Sequence, residues 1–501
     1  MRPNPLRHCF YFFATLFLFA SCSSSEKTVH IQVNGLTKND KVILAAYLGE
    51  KLYPKDTLKP SEQGLVSFNA HATDSVGKAK YPEGMYALYI TYLDSTKQAV
   101  FDFLLTPSES IIELQTTLDE NRMVQNTTVK ESTQNKIFYD YLQFLVHKQD
   151  SIVVLNELKK DATPEKAQEI EGKIKAIQAS ILAHQAEMRK QPSSYVYRLL
   201  QLGFDSNYPD FSAEKDPALA LFEYAKQHYW EGVNFQEESL ANNGLMERKL
   251  SQYFDALVPM DNSIIIGEID RLMAQIPEGT NMYRLFLQVL LSKYQYPQQL
   301  CSDAVFVHLI DQYVKTGKAH WIRQDMVKKI IEKSDAMKRI TCGQIAPEIK
   351  LVQPNLKDWM SMHAIDAKYT VLVFWSVQCG HCVRDIPRLA REIKQFNKKD
   401  VQIFAVEVEL EVQPWIDFIQ SHPELNNFIN VSDIPAARDN PLEYINAGKT
   451  DIESLNYRKV YDIYATPTIM LLDKDKKVMY KNLTVDSVQS ILAELLHAKK
   501  K

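Results

Sequence analysis

The stretch Tyr369-Thr-Val-Leu-Val-Phe-Trp375-Ser-Val-Gln-Cys379-Gly-His-Cys382 decides how the chain is read. Its first seven residues form an apolar and β-branched run that predicts a strand. The pattern from Val383 to Phe396 is helical, so the two cysteines stand at a strand-to-helix junction. Two intervening residues place both sulfurs on the first helical turn, within bonding reach of each other. The unsatisfied N–H groups and positive dipole end of a helix favour a thiolate there. A C-x-x-C pair is also half of a zinc site, but no second pair at ligand spacing occurs, so neither metal nor other cofactor is expected. The chemistry expected is thiol–disulfide exchange.

Outward from this point the pattern stays α/β. Val401 to Val408 reads as a second buried strand and Pro414 to Ser421 as a short helix. Thr468 to Leu472, a turn at Asp473-Lys-Asp-Lys476 and Val478 to Lys481 make a hairpin, and a helix closes the region from Asp486 to Ala498. Phe374-Trp375, the dithiol, Pro387 and Tyr464-Ala-Thr-Pro-Thr468 together resemble a thioredoxin-fold protein. The TlpA/ResA-like branch is the nearest type, with Gly343-Gln-Ile-Ala-Pro347 similar to its entry motif and 421–464 to its extra segment. In order of regions the whole chain resembles multidomain thioredoxin-like lipoproteins of Gram-negative anaerobes.

The resemblance implies roles residue by residue. Cys379 is the nucleophile, and Cys382 resolves the mixed disulfide. Gly380 and His381 tune the redox poise. Were His381 to lower the Cys379 pKa from ~8.5 to ~6.5, the thiolate share at pH 7 would rise from about 3% to about three quarters. Thr466 and Pro467 form a cis-proline turn whose backbone pairs with an extended substrate, and Trp375 lies beside the site. Thioredoxins carry an acid in the strand ahead of the first cysteine, whereas the matching position here is Val373. Glu407 or Glu409 is the candidate replacement, because a carboxylate in an apolar strand is unusual.

The remainder is multidomain. At 501 residues the chain is too long for one core. Residues 28–130 read as an all-β, sandwich-like domain, with short strands separated by turns at Asn34-Gly35, Gln63-Gly64 and Pro82-Glu-Gly84. Tyr86, Tyr89 and Phe103 are expected in its core. Residues 131–340 read as all-α: Ile170, Ile174, Ile177 and Ile181 share one helical face after a Thr163-Pro164 start. The aromatic segment His228 to Phe235 is expected to pack between helices. The thioredoxin-like domain spans 341–501.

Charge is balanced, with 58 basic and 62 acidic residues and a net charge of -4, which gives no reason to expect nucleic acid. Arg2 and Arg7, the short apolar stretch Phe10 to Ala20, and Ser21-Cys22 resemble a bacterial lipoprotein signal over 1–21. Cys22 would then carry lipid, and 22–27 would be a tether. This places the protein in a Gram-negative cell envelope, facing the periplasm, on either membrane. Expected partners are protein thiols and disulfides and a membrane-borne electron donor; homodimerisation is left open, as is the reducing or isomerising direction. Cys301 and Cys342 could form a structural bridge linking the second and third domains, worth roughly 4 kcal/mol by loop closure, but two buried, inert thiols are the preferred expectation. The alternative function is a binding lipoprotein whose front domains capture a partner, with the redox domain auxiliary.

Overall fold

The computed structural model describes residues 28–91, 98–121, 123–191, 193–204, 208–295, 301 and 303–497. The signal segment and Cys22 lie outside the described residues. The chain divides into two compact units, one comprising residues through 207 with 239–245, the other 208–238 and 246 onward.

The first unit is built on eight strands: β1 (Thr28–Asn34), β2 (Lys41–Leu48), β3 (Lys51–Leu58), β4 (Leu65–Asn69), β5 (Gly84–Thr91), β6 (Gln98–Leu105), β7 (Ile111–Leu118) and β8 (Val124–Glu131). They form two four-stranded sheets, ordered β4-β1-β7-β8 and β3-β2-β5-β6. Val29, Ile31 and Val33 alternate inward from β1, as the two-residue period of a strand requires. They share a core with Val42 and Leu44 of β2 and with Tyr86 and Phe103. Tyr89 is half-buried. Edge strands β3 and β8 carry little apolar signal: β3 contains Pro54, and β8 is Val-Gln-Asn-Thr-Thr-Val-Lys-Glu. Each lies at a sheet edge, where proline and polar residues are tolerated.

Helices α1 (Thr133–Lys160), α2 (Pro164–Arg189) and α3 (Tyr195–Gln201) belong to this unit, so the expected helical region 131–340 is not one body. Asn135 explains the join. Its buried amide accepts from the Leu104 N–H at 2.7 Å and donates to the Leu104 carbonyl at 2.9 Å, tying α1 to β6. Thr163 caps α2 ahead of Pro164. Gly84 lies under Asn242, whose Cβ would stand 2.7 Å from an added methyl. Gly84→Ala is therefore expected to cost about 1–3 kcal/mol by overpacking, checked as a lowered urea midpoint.

The second unit contains α4 (Pro217–His228), most of α5 (Gly244–Ala256), α6 (Asn262–Met273), α7 (Asn281–Gln295), α8 (Asp303–Leu309) and α9 (Gln324–Arg339). A π-turn over Ile310–Val314 follows α8. Trp230 packs against Tyr229, Phe235, Tyr253 and Phe286, so the aromatic segment is core. No helix among the described residues is long and apolar enough to cross a membrane.

The same unit holds a seven-stranded sheet, ordered β10-β9-β13-β12-β11-β14-β15. Its strands are β9 (Lys350–Val352), β10 (Trp359–Ser361), β11 (Tyr369–Trp375), β12 (Val401–Glu407), β13 (Ile429–Ser432), β14 (Thr468–Leu472) and β15 (Val478–Tyr480). β11 runs parallel to β12 and antiparallel to β14. Every residue of β11 is buried, because helices cover both faces. Val371, Val373 and Trp375 point to one face, with Cys382 and Ile386 of α10 (Gly380–Ile393). Leu372 and Phe374 point to the other, with Tyr457 and Tyr461. The segment Gly343 to Ala346 pairs along β15, its N–H groups at Gly343 and Ala346 donating to the Val478 and Lys476 carbonyls. Helix α11 (Val412–Ser421), several short helical turns and the closing helix Val485–His497 complete the layers. Architecture is thus N-terminal β sheets, a middle helical region and a C-terminal thioredoxin fold.

Cys301 and Cys342 are bonded, with Cα atoms 5.5 Å apart. The expectation of two inert thiols is corrected. A separation of 41 residues leaves the pairing undecided in sequence, and the fold decides it by setting Cys301 against Met479 of β15, within bonding reach of Cys342.

Candidate active site

Cys379 is the N-cap residue of α10, and its carbonyl accepts the Val383 N–H at 3.0 Å. Its own N–H donates to the Ser376 carbonyl at 3.2 Å, closing a turn that lifts the first sulfur to the surface. Cys379 is partly exposed; Cys382, inside the first turn, has no exposed surface. The Thr466–Pro467 peptide bond is cis, and the Thr466 carbonyl oxygen lies 3.2 Å from Cys379 Sγ. The fold therefore brings Cys379, Cys382, Thr466 and Pro467 together across the ends of β11 and β14.

The two sulfurs differ in environment. Burial acts to raise the Cys379 thiol, but hydrogen bonding at Thr466 and from the Cys382 and His381 backbone outweighs it, leaving the group below its ordinary value. For Cys382 burial wins, and the thiol is pushed up to about 12. His381 contributes through its backbone. Its imidazole Nδ1 lies 3.3 Å from the Arg384 guanidinium and is exposed. Gly380 opens the helix with nothing within 4 Å of where a Cβ would stand.

Trp375 has no exposed surface and packs on Phe418, with ring centroids 5.4 Å apart. It presents nothing to a substrate, and the contact expected of it is corrected to core packing. The ring exposed at the cis-proline loop is Tyr464, at 80%. Sequence reading passed over Tyr464 as a site residue; its position two residues before Thr466 was the only signal.

The two candidate carboxylates part company. Glu409 reaches the Arg458 guanidinium at 3.6 Å near the surface. Glu407 has no exposed surface. Val401, Ile403 and Ala405 alternate onto the face that holds Cys382, and the two-residue period carries Glu407 onto that face too. One carboxyl oxygen accepts the Val377 N–H at 3.4 Å, and the other has no partner among the described residues. Burial pushes this acid up to about 8. Val373 lies in the same core.

Among the described residues no group of three or more His, Cys, Asp or Glu is placed to hold a metal ion.

Residues 342–481 match the AhpC/TSA family, and residues 213–335 match a domain of unknown function, DUF5106. No curated protein matches the chain. Among solved structures, a domain of a possible thiol-disulfide isomerase from Cytophaga hutchinsonii is 28% identical, over 32% of this chain and 95% of that one, with a TM-score of 0.26. A thioredoxin-like protein from Bacteroides caccae is 16% identical, over 57% and 96%, with a TM-score of 0.42. The thioredoxin domain of a thiol-disulfide oxidoreductase from Bacteroides vulgatus is 19% identical, over 31% and 97%, with a TM-score of 0.26. The C-terminal region of this chain is accordingly a thioredoxin-like domain of the AhpC/TSA family.

Proposed function

We propose that the protein is a membrane-tethered thiol–disulfide oxidoreductase that exchanges the disulfides of other proteins through Cys379 and Cys382. The observation that carries this is the asymmetry of the dithiol, one sulfur accessible and held low, the other buried and held high. The Cys379 thiolate attacks one sulfur of a substrate disulfide, forming a mixed disulfide and expelling the second substrate sulfur as a thiolate. Cys382 then loses its proton and attacks Cys379 Sγ, expelling the first substrate sulfur. Two electrons and two protons reach the substrate, and the dithiol becomes a disulfide.

A buried sulfur with a raised pKa needs a proton acceptor for the second step. Glu407, on the Cys382 face of the sheet with one unpaired oxygen, is that acceptor. A membrane-borne donor would return the electrons. The segment from Arg2 to Cys22 supports tethering by lipid, with the catalytic domain in the periplasm of a Gram-negative cell.

Cys382→Ser is expected to stop the reaction after the first step and to accumulate covalent complexes with envelope proteins, released by reductant. Cys379→Ser should accumulate none. Non-reducing gels with mass spectrometry read this out, and an absence of adducts from the Cys382→Ser chain would defeat the assignment.

A further inference from the structure

A buried acid can take a proton only when it has already lost its own. Burial sets Glu407 at about 8, so at neutral pH it is protonated most of the time, and the charges around it govern how often it is ready. Glu407 ends β12, and the chain runs on through Val408 and Glu409 into the wall of a cavity of about 350 Å³. Gln378, the residue before Cys379, also lines this cavity, as do Arg438 and Arg458. Arg458 is fixed against the strand end. Its guanidinium donates to the carbonyl of Val408, the residue after Glu407, and lies 3.6 Å from the Glu409 carboxylate. The Tyr457 hydroxyl meets the same carbonyl at 3.5 Å.

The other charged and titratable groups here are differently placed. Asp433, which follows the β13 residue in register with Glu407, is buried and paired with Arg438. Glu411, farther along the cavity wall, is exposed. From α10 the group on the Glu407 face is the Cys382 thiol. Arg458 favours the ionised form of Glu407, and Glu409 opposes it.

We propose that Arg458 and Glu409 are positioning residues that set the pH at which Glu407 becomes able to take the Cys382 proton. The inference rests on the oxidoreductase reading, in which Glu407 is the acceptor. Neither residue enters the bond exchange; both act on it through Glu407. Because the two are paired, their fields on Glu407 largely cancel, and removing either one unmasks the other. The two removals therefore carry opposite signs. A unit charge roughly 10 Å away, through a medium of effective dielectric about 20, moves an acid by about one pH unit.

The test follows the Glu407 carboxyl itself in the reduced full chain, by the infrared band of its protonated form. Absence of that band in Glu407→Gln assigns it. The rate at which the mixed disulfide resolves is measured over the same pH range. Arg458→Met is expected to raise both midpoints by about one pH unit, close to a tenfold fall in the ionised fraction at neutral pH. Glu409→Gln is expected to lower both by a similar amount, and Arg458→Lys, which keeps the charge, to restore them. Glu409 is only partly buried, so its variant gives the answer even where Arg458→Met fails to fold. Carboxyl midpoints that stay in place, or that move in the same direction in both variants, overturn the inference and leave the exchange reading intact. Carboxyl midpoints that move while the resolving rate does not follow overturn it too, by removing Glu407 from the reaction. An unsubstituted chain that forms no mixed disulfide overturns the oxidoreductase reading and the inference with it.

Discussion

Glu407→Gln is expected to slow the resolving step about 100-fold near neutral pH and to flatten its pH dependence. The unsubstituted chain should resolve faster as pH rises through about 8, because only the ionised carboxylate can take the Cys382 proton. Glutamine keeps the shape and still accepts the Val377 N–H, so the substitution removes the proton acceptor and little else. Stability gives an independent reading. The folded-state value of about 8 stands above the ordinary 4.5. The folded chain therefore holds this proton more tightly than the unfolded chain does. Stability from this source is complete below about 4.5, declines as pH rises, and is gone above about 8. At ~1.4 kcal/mol per pH unit the decline is at most about 5 kcal/mol. Glu407→Gln should abolish that slope and leave the chain more stable at alkaline pH. Rapid-mixing decay of the mixed disulfide, with urea titrations across the same pH range, measures both. A resolving rate within about twofold of the unsubstituted chain at every pH would remove Glu407 from the mechanism.

Replacing Cys301 and Cys342 by serine together is expected to cost the second unit about 4 kcal/mol. The figure follows from the entropy of closing a loop across a separation of 41 residues. The loop spans α8 and α9, and its closure pins the start of α8 beside Lys481, the residue that follows β15 and pairs with Asp303. Tryptophan fluorescence in urea reads the loss, and reductant should reproduce it in the unsubstituted chain. A loss under about 1 kcal/mol would show that the Asp303–Lys481 pair and the surrounding core hold this junction without the covalent link.

Much of the C-terminal region was legible in the chain because its signals are local. An unbroken apolar strand, a dithiol at a helix start and a Thr-Pro before the next strand each depend on neighbours in sequence. The β sandwich was legible in β1, which alternates, and illegible at the edge strands β3 and β8, whose outer positions require no apolar pattern; β7 alternates too, yet its polar outward residues kept it from being read as a strand. Short β9, β10 and β13 escaped for a similar reason, since three or four residues are too few to show a period.

The amino-acid sequence by itself located the dithiol, Cys379 and Cys382, with the strand before it and the helix after it, and named two carboxylates as candidates for the proton. Tertiary structure decided what depends on distance across the chain. It buried Glu407 and left Glu409 at the surface, took Trp375 into the core, joined Cys301 to Cys342, and divided the helices between two units. Burial and pairing are set by residues far apart in sequence. Asp303 and Lys481, separated by 178 residues, look like ordinary surface charges until the fold removes water from both.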